Sequence, residues 1–388
     1  MTAWIAVSYG ALDVSARSDF GDAEILVTPT VPGVPLALPA GGAALWRRLA
    51  EHPVEAAGLD EDERTIVEEM CESGLASTDL HHPARQTSIP APWLSSPLHE
   101  LVYALVASLA SARDIPLVFV KGPVLHAQGL RSRRHSADVD AWVAPDRLTE
   151  LASLLKPWGW GPMADVWEHS VINHSVTLVP RAGWGCEIDL HRRLPGLALS
   201  DEEAFAAVCA RGEHVEFAGV DAQAPERAAH AVLSALHIVR PAIGKVVSSA
   251  AVPAATEVLR TAGPQTLTAS AALDATVALE EALTSAFPEA RLDTSAAGRP
   301  RDWYPRTRPN KALAYWAALR EMPVRERPGI AFRLIWPSAD VALASSENLG
   351  VRETSVARAR LRRLYRGAQE VVLTALGRKS APPTDVKR

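Results

Sequence analysis

The sequence predicts an α/β fold with a mixed sheet at its centre, and three observations carry that prediction. Short apolar runs of strand length, PLVFVKG, ADVDAWVA, VTLVP and CEIDLH, alternate with helical patterns between residues 115 and 195. Ahead of them, residues 1–80 carry two strand-like runs and then two helical ones. Beyond about residue 200 the chain becomes alanine-rich with helical periodicity.

Composition limits what such a fold can do. With 388 residues, 48% hydrophobic and 22% charged, the chain can bury a sizeable core, and its length suggests two or three domains. A net charge of -5 and a pI near 6.2 argue against a surface built for nonspecific nucleic-acid binding, which needs many Lys and Arg to replace condensed counterions. The three cysteines (Cys71, Cys186, Cys209) lie far apart without metal-ligand spacing, so neither a disulfide framework nor a zinc site is expected. MTAWIAVSYGALDV has no basic leader or long apolar run, and a soluble protein of the reducing cytoplasm is the expectation.

Taken in order, AEILVTP and GVPLALP read as strands broken by Pro and Gly, followed by helices in GGAALWRRLAE and DEDERTIVEEMCESGLAS. The acidic residues that open the second helix suit a helix N-terminus. Residues 81–97, HHPARQTSIPAPWLSSP, read as a linker. In LHELVYALVASLASARD, apolar residues recur at three- and four-residue steps, predicting a helix with one face on the sheet. DRLTELASLLKPWGW predicts a helix ending near Pro157–Gly159. PERAAHAVLSALHIVR, PAATEVLRTAG, ATVALEEALTSAF and SVARARLRRLYRGAQEVVLTALGRK predict bundle helices before a polar tail. The last carries Arg358, Arg360, Arg362, Arg363 and Arg366, expected as a solvated face because Leu361, Leu364 and Tyr365 supply an apolar stripe.

The chemistry is concentrated in VFVKGPVLHAQGLRSRRHSADVDAWVAP. Asp138 and Asp140 are two residues apart on a predicted strand, so both side chains project from one face. Two carboxylates held that close repel unless a cation compensates, and Mg²⁺ suits hard oxygen ligands shared with phosphates. Gly122 ends the preceding strand and lets backbone amides approach a phosphate, while Pro123 fits the first helical turn. In CEIDLHRRL, Asp189 is the expected third ligand or proton acceptor, with Glu187 in reserve and His191 continuing the same face. Lys121 and Arg134 read either as phosphate-binding groups or as ion-pair partners of the aspartates. His169 and His174 are expected to have no direct role, and the tryptophans 142, 158, 160, 167 and 184 are expected to pack.

The order Lys121-Gly122, Arg134, Asp138-Val139-Asp140 and Asp189-Leu190-His191 resembles the uncharacterised nucleotidyltransferase family of the polymerase-β-like superfamily, best over residues 115–240. His230 and His237 lie in a helix of the sort that follows the core in that family, and RLIWPS near 333–338 looks like a further shared segment. The run of elements places a mixed-sheet core at residues 98–200 and a helical region at 201–378, and the resemblance makes the first of them catalytic. It implies two Mg²⁺ ions on Asp138, Asp140 and Asp189, and an NTP, ATP first among them, held by Lys121, Gly122, Arg134, Ser136 and His191. The chain departs from the wider superfamily in having Gly122-Pro123 where many members have Gly-Ser, so the phosphate must rest on backbone amides, Lys121 and Arg134 or Arg131. Residues 1–80 resemble PqqD-like winged-helix modules, which implies a leader peptide as partner; a capping domain with a plain apolar core is the other reading.

The activity implied is transfer of a nucleoside monophosphate from an NTP to a small-molecule or peptide acceptor, in ribosomal-peptide natural product biosynthesis if the first 80 residues bind a leader. Two alternatives are a catalytically inactive scaffold acting as a peptide-binding adaptor, and a toxin-like transferase acting on RNA or protein. The first is opposed by retention of all three carboxylates, and for the second the acidic charge makes RNA the less attractive target.

Overall fold

Strand pairing sets the core of the segment that carries the clustered carboxylates. The computed structural model describes residues 2–168, 170, 173–181, 183–240, 248–294, 300, 303–306, 308, 311–347 and 353–375. They divide into two compact units, one of residues 1–162, 175–193 and 200–231, the other of 163–174, 194–199 and 232–388.

The first unit opens with β1 (Ala3–Ala6), β2 (Ala11–Asp13), β3 (Ala23–Val27), β4 (Leu36–Pro39), α1 (Ala40–Glu51), β5 (Val54–Glu55), α2 (Glu61–Glu72) and β6 (Ala76–Ser77). β3, β4, α1 and α2 match the two strands and two helices expected. Strands β1, β2, β5 and β6, two to four residues long, were not anticipated because runs that short carry no readable alternation. β2, β3 and β4 form an antiparallel sheet in that order, and β1 sits between β5 and β6. The acidic start of α2 is a capping box: Asp60 accepts from the Glu63 amide while Glu63 reaches back to the Asp60 amide. Trp46, fully buried, donates its indole N–H to the Leu75 carbonyl and ties α1 to the end of the segment.

The core follows with α3 (Pro97–Ser111), β7 (Leu117–Phe119), α4 (Gly122–Ala127), β8 (Asp138–Val143), α5 (Leu148–Leu154), β9 (Trp160–Pro162), β10 (Ser175–Pro180), β11 (Glu187–His191), α6 (Asp201–Cys209), β12 (Glu213–Phe217), β13 (Val220–Ala224) and α7 (Arg227–Val239). The sheet order is β7-β8-β11-β10-β9, with β8 and β11 parallel and the other pairs antiparallel, so the sheet is mixed as predicted.

Two expectations need correction. α3 does not bury one face only: twelve of its fifteen residues are buried, because β2 and the β12–β13 hairpin pack on it as well as the sheet. The stretch after residue 200 is not helical throughout, since Glu213–Ala224 is a hairpin turning at Ala218 (φ 49°) and Gly219 (φ 78°). That pair of left-handed residues matches the right-handed twist of the strands.

Glu100 on α3 is fully buried and accepts the amides of Trp93, Leu94 and Ala218. One carboxylate thereby fastens both the Pro- and Ser-rich segment and the hairpin turn to the central helix. Burial raises its pKa, opposed by those amide bonds.

The second unit is helical: α8 (Ala251–Ala262), α9 (Gln265–Ala272), α10 (Thr276–Ala286), α11 (Trp303–Arg306), α12 (Lys311–Glu321), α13 (Arg327–Ile335), α14 (Ala339–Glu347) and α15 (Val356–Ala375). Val166 and Trp167 pack with Ala318, Met322 and Ile330 in its core. The basic run of α15 is partly engaged within the unit: Arg360 lies 5.0 Å over the Trp336 ring, Arg362 pairs with Glu353 and Arg363 donates to Ser345. Among the described residues no helix is long and apolar enough to cross a membrane. His169 and the polar tail from 376 lie outside the described residues.

Candidate active site

The site is set by the parallel pairing of β8 with β11. Its register places Asp138 beside Glu187, Asp140 beside Asp189 and Trp142 beside His191, so the alternate residues of both strands share one sheet face. Trp142 closes one end of that face, donating its indole N–H to the Arg192 carbonyl and meeting Phe205 edge-on. Asp140 is buried, Asp189 and Asp138 half-buried and Glu187 exposed, so depth increases from Asp138 towards His191.

Asp140, Asp189 and His191 each offer a ligand atom, and these atoms lie within 4.8 Å of one another. Among the described residues this is the one group of three or more His, Cys, Asp or Glu side chains close enough to hold a metal ion. Two carboxylates and an imidazole fit a divalent cation, the carboxylates favouring a hard ion such as Mg²⁺ and the nitrogen tolerating Mn²⁺. Asp189 is oriented by Thr177 of β10, whose hydroxyl donates to its Oδ1 at 2.5 Å. Asp138 stands apart from the group: its Oδ1 accepts from Ser136 at 2.7 Å, and its backbone carbonyl lies 3.2 Å from His99 Nε2.

Lys121 follows β7 and turns its side chain onto this cluster. Its Nζ donates to Asp140 Oδ1 at 2.5 Å and lies 3.5 Å from His191 Nε2, which is itself 2.8 Å from the same carboxylate oxygen. Burial alone would raise the Asp140 pKa, but the His191 hydrogen bond and the Lys121 charge outweigh it and hold the carboxyl far below the usual range. His191 is shifted down, by burial and by the Lys121 charge, against the pull of Asp140. In this form Asp140 is an anion with an ammonium and a neutral imidazole on one oxygen.

The turn that presents Lys121 has unusual backbone geometry. Lys121 has φ 61° and ψ -149°, a region almost restricted to glycine, and Gly122 follows at φ 49°. A Cβ on Gly122 would lie 2.8 Å from Tyr103 Oη, so glycine is required there by contact as well as by φ. Tyr103 is buried, and its hydroxyl has no hydrogen-bond partner among the described residues. Arg131 donates to the His135 carbonyl and braces the loop between α4 and β8, and Arg134 is exposed on that loop.

The structure thus brings Lys121, Asp140, Asp189 and His191 together and sets Gly122, Ser136 and Asp138 at their edge. Sequence reasoning assigned no role to Thr177, Tyr103, Gln128 or His230. His230 had one readable signal, the single titratable residue in the otherwise uncharged run AAHAVLSAL of α7. It is fully buried, and its Nε2 accepts the Lys121 amide at 2.8 Å.

No curated protein matches the chain. Residues 98–263 match the model of a family described as uncharacterised nucleotidyltransferase, and every residue of the cluster, from Lys121 through Asp140, Asp189 and His191 to His230, falls within that segment.

Proposed function

We propose that the protein is a divalent-metal-dependent nucleotidyltransferase that moves a nucleoside monophosphate from an NTP to a small-molecule or peptide acceptor. The observation that supports this most is the grouping of Asp140, Asp189 and His191 on one sheet face inside the matched segment. Those three residues would hold the metal, with Asp138 as a further carboxylate at the mouth. A bound Mg²⁺ would supply charge stabilisation for the triphosphate and the departing pyrophosphate.

The chain's own residues would do the rest. Lys121 provides a cation at the cluster, and Gly122, whose Cβ direction is filled by Tyr103 and Ser136, permits the tight turn that presents it. Arg134 and Ser136 line the loop that leads into β8. In the transfer, an acceptor oxygen bonds to the α-phosphorus, the bond to the bridging oxygen breaks, pyrophosphate leaves, and the acceptor proton passes to a carboxylate such as Asp189.

Incubation of the full chain with Mg²⁺, each labelled NTP and candidate acceptors should release pyrophosphate. The release should fall by about 100-fold or more in Asp140→Asn or Asp189→Asn. Equal inertness of wild type and both variants, with peptide binding retained, would instead support an adaptor.

A peptide acceptor is favoured by one feature of residues 1–80. Among the described residues β4 pairs only with β3, which leaves an edge suited to strand addition by an extended peptide. Titration of a leader peptide against the full chain should perturb the Leu36–Leu38 amides; no perturbation at saturating peptide would leave a capping role.

A further inference from the structure

A non-glycine residue in the conformation of Lys121 persists only where its surroundings over-determine it. The surroundings here trace to a residue 109 positions away. The His230 ring is completely buried, its Nε2 accepts from the Lys121 amide at 2.8 Å, and its Nδ1 lies 2.7 Å from Gln128 Oε1.

The proton positions follow from the partners. Gln128 Nε2 donates to Glu213 Oε2 at 2.9 Å and to the Pro225 carbonyl at 2.8 Å, so Oε1 is the atom that faces His230 and must accept. His230 Nδ1 therefore carries the proton, leaving Nε2 with a lone pair. A backbone N–H is the donor that lone pair meets. Burial keeps the ring neutral, pushing its pKa down to about 3. Histidine suits this place because a single rigid ring accepts at one nitrogen and donates at the other.

We propose that His230, oriented by Gln128, is a positioning residue that fixes the Lys121 main chain in its left-handed turn and thereby directs the Lys121 ammonium at Asp140. This rests on the reading of Asp140, Asp189 and His191 as a metal-dependent transfer centre. The ammonium lies on the Asp140 carboxylate, one of the three groups that would hold a metal, so the two cations compete for it. His230 then governs both how strongly Lys121 neutralises the cluster and where Lys121 stands to meet a phosphate.

The test uses the full chain and Mn²⁺ alone, followed by calorimetry. Lys121→Met removes the internal cation and should tighten Mn²⁺ binding about tenfold. His230→Leu should tighten it similarly, and the double variant should show no further gain. His230→Gln, which can place an oxygen near the position of Nε2, should restore wild-type affinity. A merely structural role would weaken Mn²⁺ binding or leave it alone, so unchanged or weaker binding in His230→Leu, or additive effects in the double variant, overturns the proposal.

A second readout does not need the metal. Lys121→Gly relieves the backbone strain, so the stability lost on His230→Leu should be smaller in the Lys121→Gly background, measured by urea unfolding. Equal losses in both backgrounds overturn the proposal. Should no variant bind Mn²⁺ while this coupling is found, the positioning role stands and the metal-dependent reading of the cluster fails.

Discussion

At the scale of single residues, the site depends on which groups are charged and which are kept neutral. Asp140 keeps its charge despite burial because Lys121 and His191 share one of its oxygens. His230 is neutral because the loss of hydration on burial outweighs the pull of the Asp140 charge. Its pKa falls from the ordinary 6.5 to about 3 in the folded state, so the unfolded chain takes up its proton first as pH drops. The resulting stability is fully present above about pH 6.5 and is lost progressively towards pH 3. Urea unfolding across pH 7 to 4 should show a decline, with a shallower slope in His230→Gln; an identical slope would mean the ring is not held neutral. Gly122 gives a second residue-scale prediction. Gly122→Ala should cost about 2 kcal/mol through the left-handed φ and the contact with Tyr103 Oη. Tyr103→Phe removes that oxygen and should recover part of the loss in the double variant, leaving the cost of φ. No recovery in thermal unfolding would place the strain elsewhere.

At the scale of elements, β8 and β11 were the most readable parts of the chain. Alternation put Asp138 and Asp140 on one face, and Glu187, Asp189 and His191 on another strand with the same alternation. What alternation does not contain is depth. Which aspartate lies innermost depends on the end of the strand pair that Trp142 and Phe205 close, and on the approach of Lys121 and His191, contacts set by register and by distant segments. The short strands β1, β5 and β6 were unreadable for another reason: two to four residues give too few turns of the pattern to separate strand from loop. The β12–β13 hairpin, by contrast, carries alternation and an Ala218-Gly219 turn in EHVEFAGVDAQA, a signal outweighed by the alanine-rich helices on either side. Its attachment to α3 yields an element-scale prediction. Glu100→Ala orphans the Trp93, Leu94 and Ala218 amides and should cost about 3 kcal/mol, with Glu100→Gln costing less. A loss within 0.5 kcal/mol, on the order of a surface substitution, would show that the carboxylate fastens nothing.

At the scale of the whole molecule, the N-terminal strands and the mixed sheet fall in one packed unit, and α3 is the element they share. Gly10 marks that junction: it has φ 133°, and a Cβ there would lie 2.6 Å from Ala104 Cβ on α3. The neighbouring Ala11 amide donates to the Ala218 carbonyl of the hairpin turn. Gly10→Ala should therefore lower stability by about 3 kcal/mol and do so in a single transition followed at both Trp46 and Trp142. Separate transitions for the two probes would show that the N-terminal segment melts on its own. Helical content beyond residue 250 was legible from alanine-rich periodicity, whereas the pairing of Val166 and Trp167 with α12 and α13 was not, since it joins segments about 150 residues apart in a pattern with no local trace.

The proposed activity needs a cation bound at the meeting of β8 and β11. Crystals of the full chain soaked in Mn²⁺ and measured for anomalous scattering test that directly. The expected map has a peak in contact with Asp140, Asp189 and His191, with the Lys121 ammonium moved off Asp140. A map with no peak there, Lys121 still on Asp140 and manganese bound elsewhere, would contradict it.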